Sequence, residues 1–592
     1  MHRFAQSRLS QRARLSFAAG ALGLLCLLAA AWQRPDARAA EPQPPSFLVI
    51  QTDDQTLESL YATFRQPAIR AMPNTVDLIA KRGMTFGRYY VSYPLCCPSR
   101  VSLLTGRYAH NHGVRGNIQP NGGYTGFAFR GAATHNLATW LQGAGYRTIH
   151  IGKFLNGYGD EPFDNGTSVP PGWNAWHSVL KADTNHYFYG YSLNNNGTVE
   201  GPFGDSGSWE TREYGVRDDL GCPYAPLNGL PCFYETDTLT NYAIGELQET
   251  SLEQPFYLQL DYTAPHGDFR RPAGPEPAPR HYDWFKGAPM PHSRSEGFAE
   301  GNVSDKPSFI RGSEYLTLGE IHTYRIFWNK QLEALRAIDD GVKLLMDTLG
   351  SQHRLRNTYV IFTSDNGFFF GEHRLIGGKF LAYEPATHLP FLIRGPHIRA
   401  GSESSELVQN IDIAPTVLEL SGATADKSID GRSLVPFLRD PELRTLRPIL
   451  FESFVETSDV TENGAIVERD PSARAAARPG RGASASILAP PKDYEGIRLG
   501  PYKYIAWPNG EKELYDLEKD PNELNNIVRI PNYFPIRNYL HRELRDLEDC
   551  VGRGCSEEAS EIPLTRKERQ AEIRRKKREL RENRKEQKEQ KR

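Results

Sequence analysis

Residues 46–54 read SFLVIQTDD, an unbroken run of large apolar and β-branched residues that stops at two aspartates. A short apolar run without alternation fits a strand buried on both faces. Three later runs have the same form. Tyr146–Ile151 leads into Gly152-Lys153, Pro255–Leu260 into Ala264-Pro265-His266, and Asn357–Phe362 into Ser364-Asp365-Asn366-Gly367. Helical periodicity lies between them, at His135–Gln142 and Ile321–Leu349. Strands alternating with helices predict an α/β sheet. In open sheets of that kind ligands sit beyond the carboxyl ends of the strands. Four strands ending in Asp, Lys, His and Asp/Asn therefore predict one shared polar pocket.

The chain has 592 residues and a formal net charge of −2, which argues against a polyanion-binding globule, and no nucleic-acid partner is expected. The charge is unevenly placed. Residues 565–592 hold fourteen Lys/Arg against six Glu, a net of about +8, and read as a charged helix or a disordered tail. An anionic surface is the candidate partner for that tail. From 445 the pattern changes to short strands at Ile449–Phe454, Gly496–Leu499, Tyr502–Trp507 and Lys512–Tyr515, with a Pro508-Asn509-Gly510 turn. These predict a main domain over 45–444 and a smaller antiparallel C-terminal subdomain over 445–555. The Ala/Arg/Gly/Ser/Pro-rich stretch 461–492 reads as a mobile loop inside it.

The N-terminus carries Arg3, Arg8, Arg12 and Arg14, then apolar residues from Leu15 to Trp32, then Ala37-Arg38-Ala39. This is the layout of a secretory signal peptide over 1–40, with a retained membrane anchor as the alternative. A secreted, periplasmic or cell-surface protein is expected, and disulfides are allowed. Of seven cysteines, Cys26 leaves with the leader, and proximity pairs Cys222 with Cys232 and Cys550 with Cys555. Cys96 and Cys97 remain. Neighbouring cysteines rarely bridge each other, because a single trans peptide gives the wrong Cα separation. Either one pairs elsewhere or one is a reagent; a buried thiol suits Cys97.

Their setting is Cys96-Cys97-Pro98-Ser99-Arg100, followed by Leu104-Thr105-Gly106-Arg107. It resembles the C-x-P-S-R-x-x-x-L-T-G-R signature of type I sulfatases. The resemblance extends over roughly residues 45–530, including Glu513-Leu514-Tyr515-Asp516-Leu517 and Asp520-Pro521. It implies an alkaline-phosphatase-like fold, with a large mixed central sheet flanked by helices. It also implies that a formylglycine-generating enzyme oxidises Cys96 to formylglycine during maturation. The hydrated aldehyde has two hydroxyls: one attacks sulfur and releases the alcohol, and deprotonation of the other then expels sulfate. An ordinary serine ester has no second hydroxyl for that step.

The family's metal ligands match Asp53, Asp54, Asp365 and Asn366, with modified Cys96 completing the set. Hard oxygen donors favour Ca2+, with Mg2+ as the second choice, over zinc. Arg100, Lys153, His266 and Lys379 match the cationic clamp around the reacting group, the kind of fixed charge that dominates such catalysis.

One position departs from the common pattern. Many sulfatases place a histidine close behind the first lysine, whereas here Lys153-Phe154-Leu155-Asn156 supplies an amide, which cannot accept a proton. That text, with Val169–Trp173 and Tyr108-Ala109-His110-Asn111-His112, resembles the branch of N-acetylglucosamine-6-sulfatases and extracellular endosulfatases. Asn156, His110 and His112 are therefore candidate sugar contacts, with a structural turn equally open for the two histidines. The expected activity is hydrolysis of sulfate monoesters of a sulfated glycan, such as 6-sulfated N-acetylglucosamine. A phosphate or phosphonate ester hydrolase on the same fold and an inactive polyanion-binding relative are the alternatives.

Overall fold

The four runs quoted above form four adjacent parallel strands in a ten-stranded sheet. In this computed structural model the strands are β1 (Ser46–Thr52), β2 (Met84–Phe86), β3 (Arg147–Lys153), β4 (Ala175–Val179), β5 (Tyr191–Asn195), β6 (Thr198–Phe203), β7 (Phe256–Asp261), β8 (Thr358–Ser364), β9 (Phe391–Arg394) and β10 (Ser402–Ser404). Their order is β10-β2-β9-β8-β1-β7-β3-β4-β5-β6. The centre, β8 to β4, is parallel, and antiparallel pairs appear towards both edges, so the sheet is mixed.

The structure describes residues 43–65, 68–160, 164–180, 188–203, 233–268, 274–454 and 493–589. The expected leader at 1–40, the Cys222–Cys232 pairing and the 461–492 loop lie outside them.

Both faces of the central strands are covered, which is why their sequence does not alternate. The helices that cover them include α1 (Cys96–Thr105), α2 (Leu137–Gly143), α3 (Glu235–Glu249), α4 (Leu318–Ser351) and α5 (Ile413–Ser421). Leu48, Ile50, Ile149, Leu258 and Val360 pack with α3 and α4 through Leu239, Tyr242, Leu332 and Ile338. Phe47, Val49, Tyr257 and Ile361 face the other way, onto Val101 and Leu104 of α1, Leu141 of α2 and Val417 of α5. Truncating one such residue, for example Ile50→Ala, costs about 2–5 kcal/mol.

Register decides where the strands end. Thr52 is paired with Ser364, Gln51 with Asp261, and Asp261 with Gly152. The carboxyl ends of β8, β1, β7 and β3 are therefore flush, and the residues that follow them emerge along one edge.

The four C-terminal runs form an antiparallel sheet of β11 (Ile449–Phe454), β12 (Asp493–Leu499), β13 (Tyr502–Ala506) and β14 (Lys512–Asp516). One face packs on α6 (Phe534–Glu548) through Leu450, Ile497 and Leu514 against Leu540 and Leu544. The other meets Phe369, Leu381 and Tyr383 through Phe451, Ile505 and Trp507. Cys550 and Cys555 are bonded, with Cα atoms 5.1 Å apart. The basic tail is a helix, α7 (Arg566–Glu589), and not a coil. No helix among the described residues is long and apolar enough to cross a membrane.

Candidate active site

Cys96 is the first residue of α1, entered from an extended Leu95. Pro98 falls in the first turn, where a missing amide proton costs nothing. All ten residues of this helix are buried. It stops at Gly106, whose φ of 66° and approach to Ile429 (a Cβ would lie 2.7 Å from Cγ2) both require glycine.

Lys153 is placed by a second close approach. Gly152 has φ of 105°, and a Cβ there would lie 1.9 Å from the Asp261 carbonyl oxygen. Only glycine lets β3 and β7 run together at this point, and that contact aims the next residue, Lys153. Lys379 arrives on a loop tied to the signature segment by Phe380 N donating to Pro94 O at 3.0 Å. Asp54 sits in the left-handed region at φ 62°, a conformation that stores strain and recurs at functional sites.

These elements bring Asp53, Asp54, Cys96, Arg100, Lys153, His266, Asp365, Asn366 and Lys379 into one cluster, each at most 3% exposed. Lys379 Nζ donates to Cys96 Sγ at 3.0 Å and to Asp54 Oδ1 at 2.6 Å. Lys153 Nζ lies 3.8 Å from the same sulfur and 2.5 Å from Asp53 Oδ2. Asp53 Oδ1 is 3.6 Å from Sγ. Arg100 donates through Nε to Asp365 Oδ2 at 2.9 Å, through Nη2 to Asp53 Oδ2 at 3.1 Å and through Nη1 to the Lys153 carbonyl at 3.1 Å. His266 gives its Nδ1 proton to Gly267 O at 2.9 Å, leaving Nε2 3.5 Å from Asp54 Oδ2. Ligand atoms of Asp53, Asp54, Cys96 and His266 all lie within 4.8 Å of one another.

The charges in this cluster act on each other strongly. Burial raises the Asp53 carboxyl, but Lys153, His266, Arg100 and Lys379 outweigh it and hold Asp53 far below the usual carboxylate range. Asp365 goes the other way, pushed up to about 6 by burial and by the neighbouring Asp53 charge. Burial and Asp53 also push the Cys96 thiol well up, so as a cysteine this residue is protonated and a poor nucleophile.

Two acceptor atoms have no hydrogen-bond partner although buried: Asp54 Oδ2 and Asn366 Oδ1. Orphaned buried oxygens beside carboxylates are costly unless a cation satisfies them. Asp54 and Asn366 thus offer oxygens to a hard divalent cation, with Asp53 grouped beside Asp54, whereas both oxygens of Asp365 already accept, from Asn366 N, Asp54 N and Arg100.

The cluster also includes residues that the sequence patterns did not single out. Asp261 ends β7 and lies 3.8 Å from Arg100 Nη1, accepting from Gln259 Nε2 at 2.7 Å. His150 lies 3.2 Å from Asp261 Oδ2 through Nε2, its ring stacked on Trp176. Gln331 of α4 donates to the Asp54 and Pro265 carbonyls. Both acidic and amide residues sat at or near quoted strand ends or helices, but only register shows what they touch.

Asn156 is buried close by. Its backbone N donates to Cys97 Sγ at 3.2 Å, and its side-chain oxygen has no hydrogen-bond partner. His110 and His112 are held elsewhere. His112 accepts from Val114 N at 3.1 Å through Nδ1, so its Nε2 proton goes to Ser102 Oγ at 3.1 Å. Burial, then Arg107 and His110, lowers it to about 3. His110 joins Glu452 Oε2 at 2.7 Å and Cys550 O at 3.0 Å, linking the segment after α1 to the C-terminal sheet and the disulfide loop.

A chain with this fold and this cluster belongs to the sulfatase family, whose profile matches residues 45–423. Among relatives, an N-acetylglucosamine-6-sulfatase of Homo sapiens is 30% identical over 538 residues, covering 87% of each chain. An arylsulfatase of Volvox carteri is 30% identical over 548 residues, covering 88% of this chain and 76% of its own. A putative extracellular sulfatase Sulf-1 homologue of Caenorhabditis elegans is 33% identical over 392 residues, 66% of this chain; the match spans only 48% of that longer protein. A solved structure in complex with its substrate D-glucosamine-2-N,6-O-disulfate superposes with a TM-score of 0.60 at 23% identity, over 86% of this chain and 98% of the other.

Proposed function

We propose that this protein hydrolyses sulfate monoesters of sulfated glycans, with 6-sulfated N-acetylglucosamine as the preferred unit, and that Cys96 acts after conversion to formylglycine. The observation that carries this reading is the placing of Cys96 Sγ 3.0 Å and 3.8 Å from two buried lysines beside Asp53. An oxygen nucleophile at that position faces the cations that would hold the sulfate oxygens.

A hard divalent cation, Ca2+ by preference, would be held by Asp53, Asp54, Asp365, Asn366 and modified Cys96, and would supply acidification of the attacking hydroxyl. Charge counting supports its presence. Asp53, Asp54, Asp261 and Asp365 face Arg100, Lys153, Lys379 and a His266 protonated on both nitrogens, four anions against four cations. An anionic ester finds no net positive charge there without a further cation.

Each residue then has a task. Arg100 fixes Asp53 and Asp365 and takes no part in bond making. Lys153 and Lys379 bind and orient the sulfate oxygens from two sides. His266, its Nδ1 committed to Gly267, holds a proton at Nε2 for the departing alcohol. Burial of the whole cluster excludes water and strengthens these charges. The glycan assignment draws on the buried amide of Asn156 and on the relatives named above.

The test has two parts. Peptide mass across residue 96 should show the aldehyde on Cys96 and an unmodified Cys97. A panel of N-acetylglucosamine-6-sulfate, 4-nitrophenyl sulfate and 4-nitrophenyl phosphate should rank the sugar sulfate first and the phosphate last. Preference for the phosphate would overturn the sulfatase reading; indifference to every sulfated sugar would overturn the glycan reading.

A further inference from the structure

We infer that one face of α7 is a docking surface for a linear sulfated polysaccharide, the polymeric form of the substrate proposed above, and this inference rests on that reading. The basic tail is not a random charge run. At about 100° per residue, Glu568, Glu572, Glu579 and Glu582 fall in one arc of about 80°. Lys567, Arg574, Lys577, Arg578 and Arg581 fall in a separate arc of about 100° that contains no acid.

The pairing follows the segregation. Arg575 and Lys576 lie outside the basic arc, and among the described residues these two make the helix's ion pairs, with Glu579 at 3.6 Å and Glu572 at 2.6 Å. Arg574, Lys577, Arg578 and Arg581 make no ion pair among the described residues and are exposed. The acidic face is thus partly neutralised within the helix, while the basic face is left for solvent or a ligand.

The helix is also fixed at its root. Thr565 Oγ1 and Glu568 Oε2 are 2.8 Å apart in a cap, Lys567 N donates to Asn532 Oδ1 at 2.9 Å, and Arg566 lies over the Phe534 ring at 5.4 Å. It extends from there for about 36 Å at 1.5 Å per residue.

A second observation says what such a face is for. Of 70 basic and 72 acidic residues, 14 and 6 lie in 565–592 and six and two in 1–44, leaving 50 and 64 between. The body carrying the site is therefore net −14 and repels a polyanion at long range, while the tail is net +8. A polymer that must reach a site in an acidic body needs an attractive contact elsewhere on the same molecule. Once the tail holds one stretch of the polymer, capture of the next stretch by the site becomes intramolecular. Release of counterions from the polymer drives the first contact and makes it salt-dependent.

The experiment compares the enzyme with a variant carrying Arg574→Glu, Lys577→Glu, Arg578→Glu and Arg581→Glu. Glutamate keeps the helix propensity, and circular dichroism checks that the helix persists. The probes are immobilised dextran sulfate at 0.15 M NaCl, a soluble sulfated polysaccharide and 4-nitrophenyl sulfate. The enzyme should be retained and the variant should flow through. KM on the polysaccharide should rise tenfold or more at unchanged kcat, with both constants on the small ester unchanged. Equal retention, or equal KM on the polysaccharide, would overturn the proposal. Stronger retention of the enzyme on phosphatidylserine vesicles or duplex DNA than on dextran sulfate would overturn the choice of partner. Retention needs no turnover, so an enzyme inactive on all sulfate esters yet held through these four residues would overturn the proposed activity alone.

Discussion

Replacing Arg100 with methionine tests how the cluster is held together. Its guanidinium contacts Asp365 Oδ2 at 2.8 Å and Asp53 Oδ2 at 3.1 Å, with all three groups buried. Without it, Asp53 still has Lys153 at 2.5 Å and Asp54 still has Lys379 at 2.6 Å. Asp365 keeps only the backbone donors Asn366 N at 2.7 Å and Asp54 N at 3.3 Å. The cost is that of leaving one carboxylate buried and unpaired, about 3–5 kcal/mol. The same reasoning fixes the sign of a rescue. Arg100→Met with Asp365→Asn removes the uncompensated charge at nearly constant volume, so the double variant should recover about 1–3 kcal/mol of the loss. Urea unfolding followed by tryptophan fluorescence measures both, provided the slope is unchanged. A single-variant loss under about 1 kcal/mol, or a double variant as unstable as the two losses added, would refute this account of the cluster. Arg100→Lys should fall between wild type and methionine, since it keeps the charge but loses the two-pronged contact.

Cys96→Ala should abolish turnover, whereas Cys97→Ala should lose packing and the Asn156 contact and keep measurable kcat. Adding Ca2+ should raise the thermal midpoint of the protein, and Asp365→Ala should remove that rise together with calcium binding measured by calorimetry. The His110 bridge should make stability fall at high pH. Burial opposes but Glu452 prevails, raising this imidazole to about 8; the contribution is therefore complete below the unfolded value near 6.5 and lost as pH rises through about 8. Its size is roughly 2 kcal/mol, and His110→Gln should flatten the urea midpoint between pH 6 and 9. Asn156→Ala should lower kcat/KM on sugar sulfates while sparing 4-nitrophenyl sulfate; equal losses on both would place the amide on the sulfate itself.

What the sequence made legible follows from where the physics is local. Strand identity was readable because Phe47–Ile50 and Tyr359–Phe362 are covered on both faces, and double burial suppresses alternation within the run itself. The short strands after 445 were readable for the opposite reason, since turns such as Pro508-Asn509-Gly510 punctuate them. The tail left two states open because its charges specify no partner; segregation of Glu568, Glu572 and Glu579 from Arg574 and Arg581 appears only once the helical period is imposed.

The cluster divides in the same way. Residues that immediately follow a strand, such as Asp53 and Asp365, could be gathered by the rule for carboxyl ends. Asp261 and His150 could not, although both lie in or at the end of quoted runs, because their meeting depends on register and not on residue type. His110 shows the reverse failure: its motif places it near Cys96 in sequence, yet its bonds go to Glu452 and Cys550, far along the chain. Gly152 links the two cases. It reads as an unremarkable turn glycine, and only the 1.9 Å approach to the Asp261 carbonyl shows that it sets the position of Lys153. Any side chain there would have to push β3 away from β7. Lys153 would then leave Asp53, and Asp261 would leave Arg100, so one missing Cβ fixes both halves of the charge cluster.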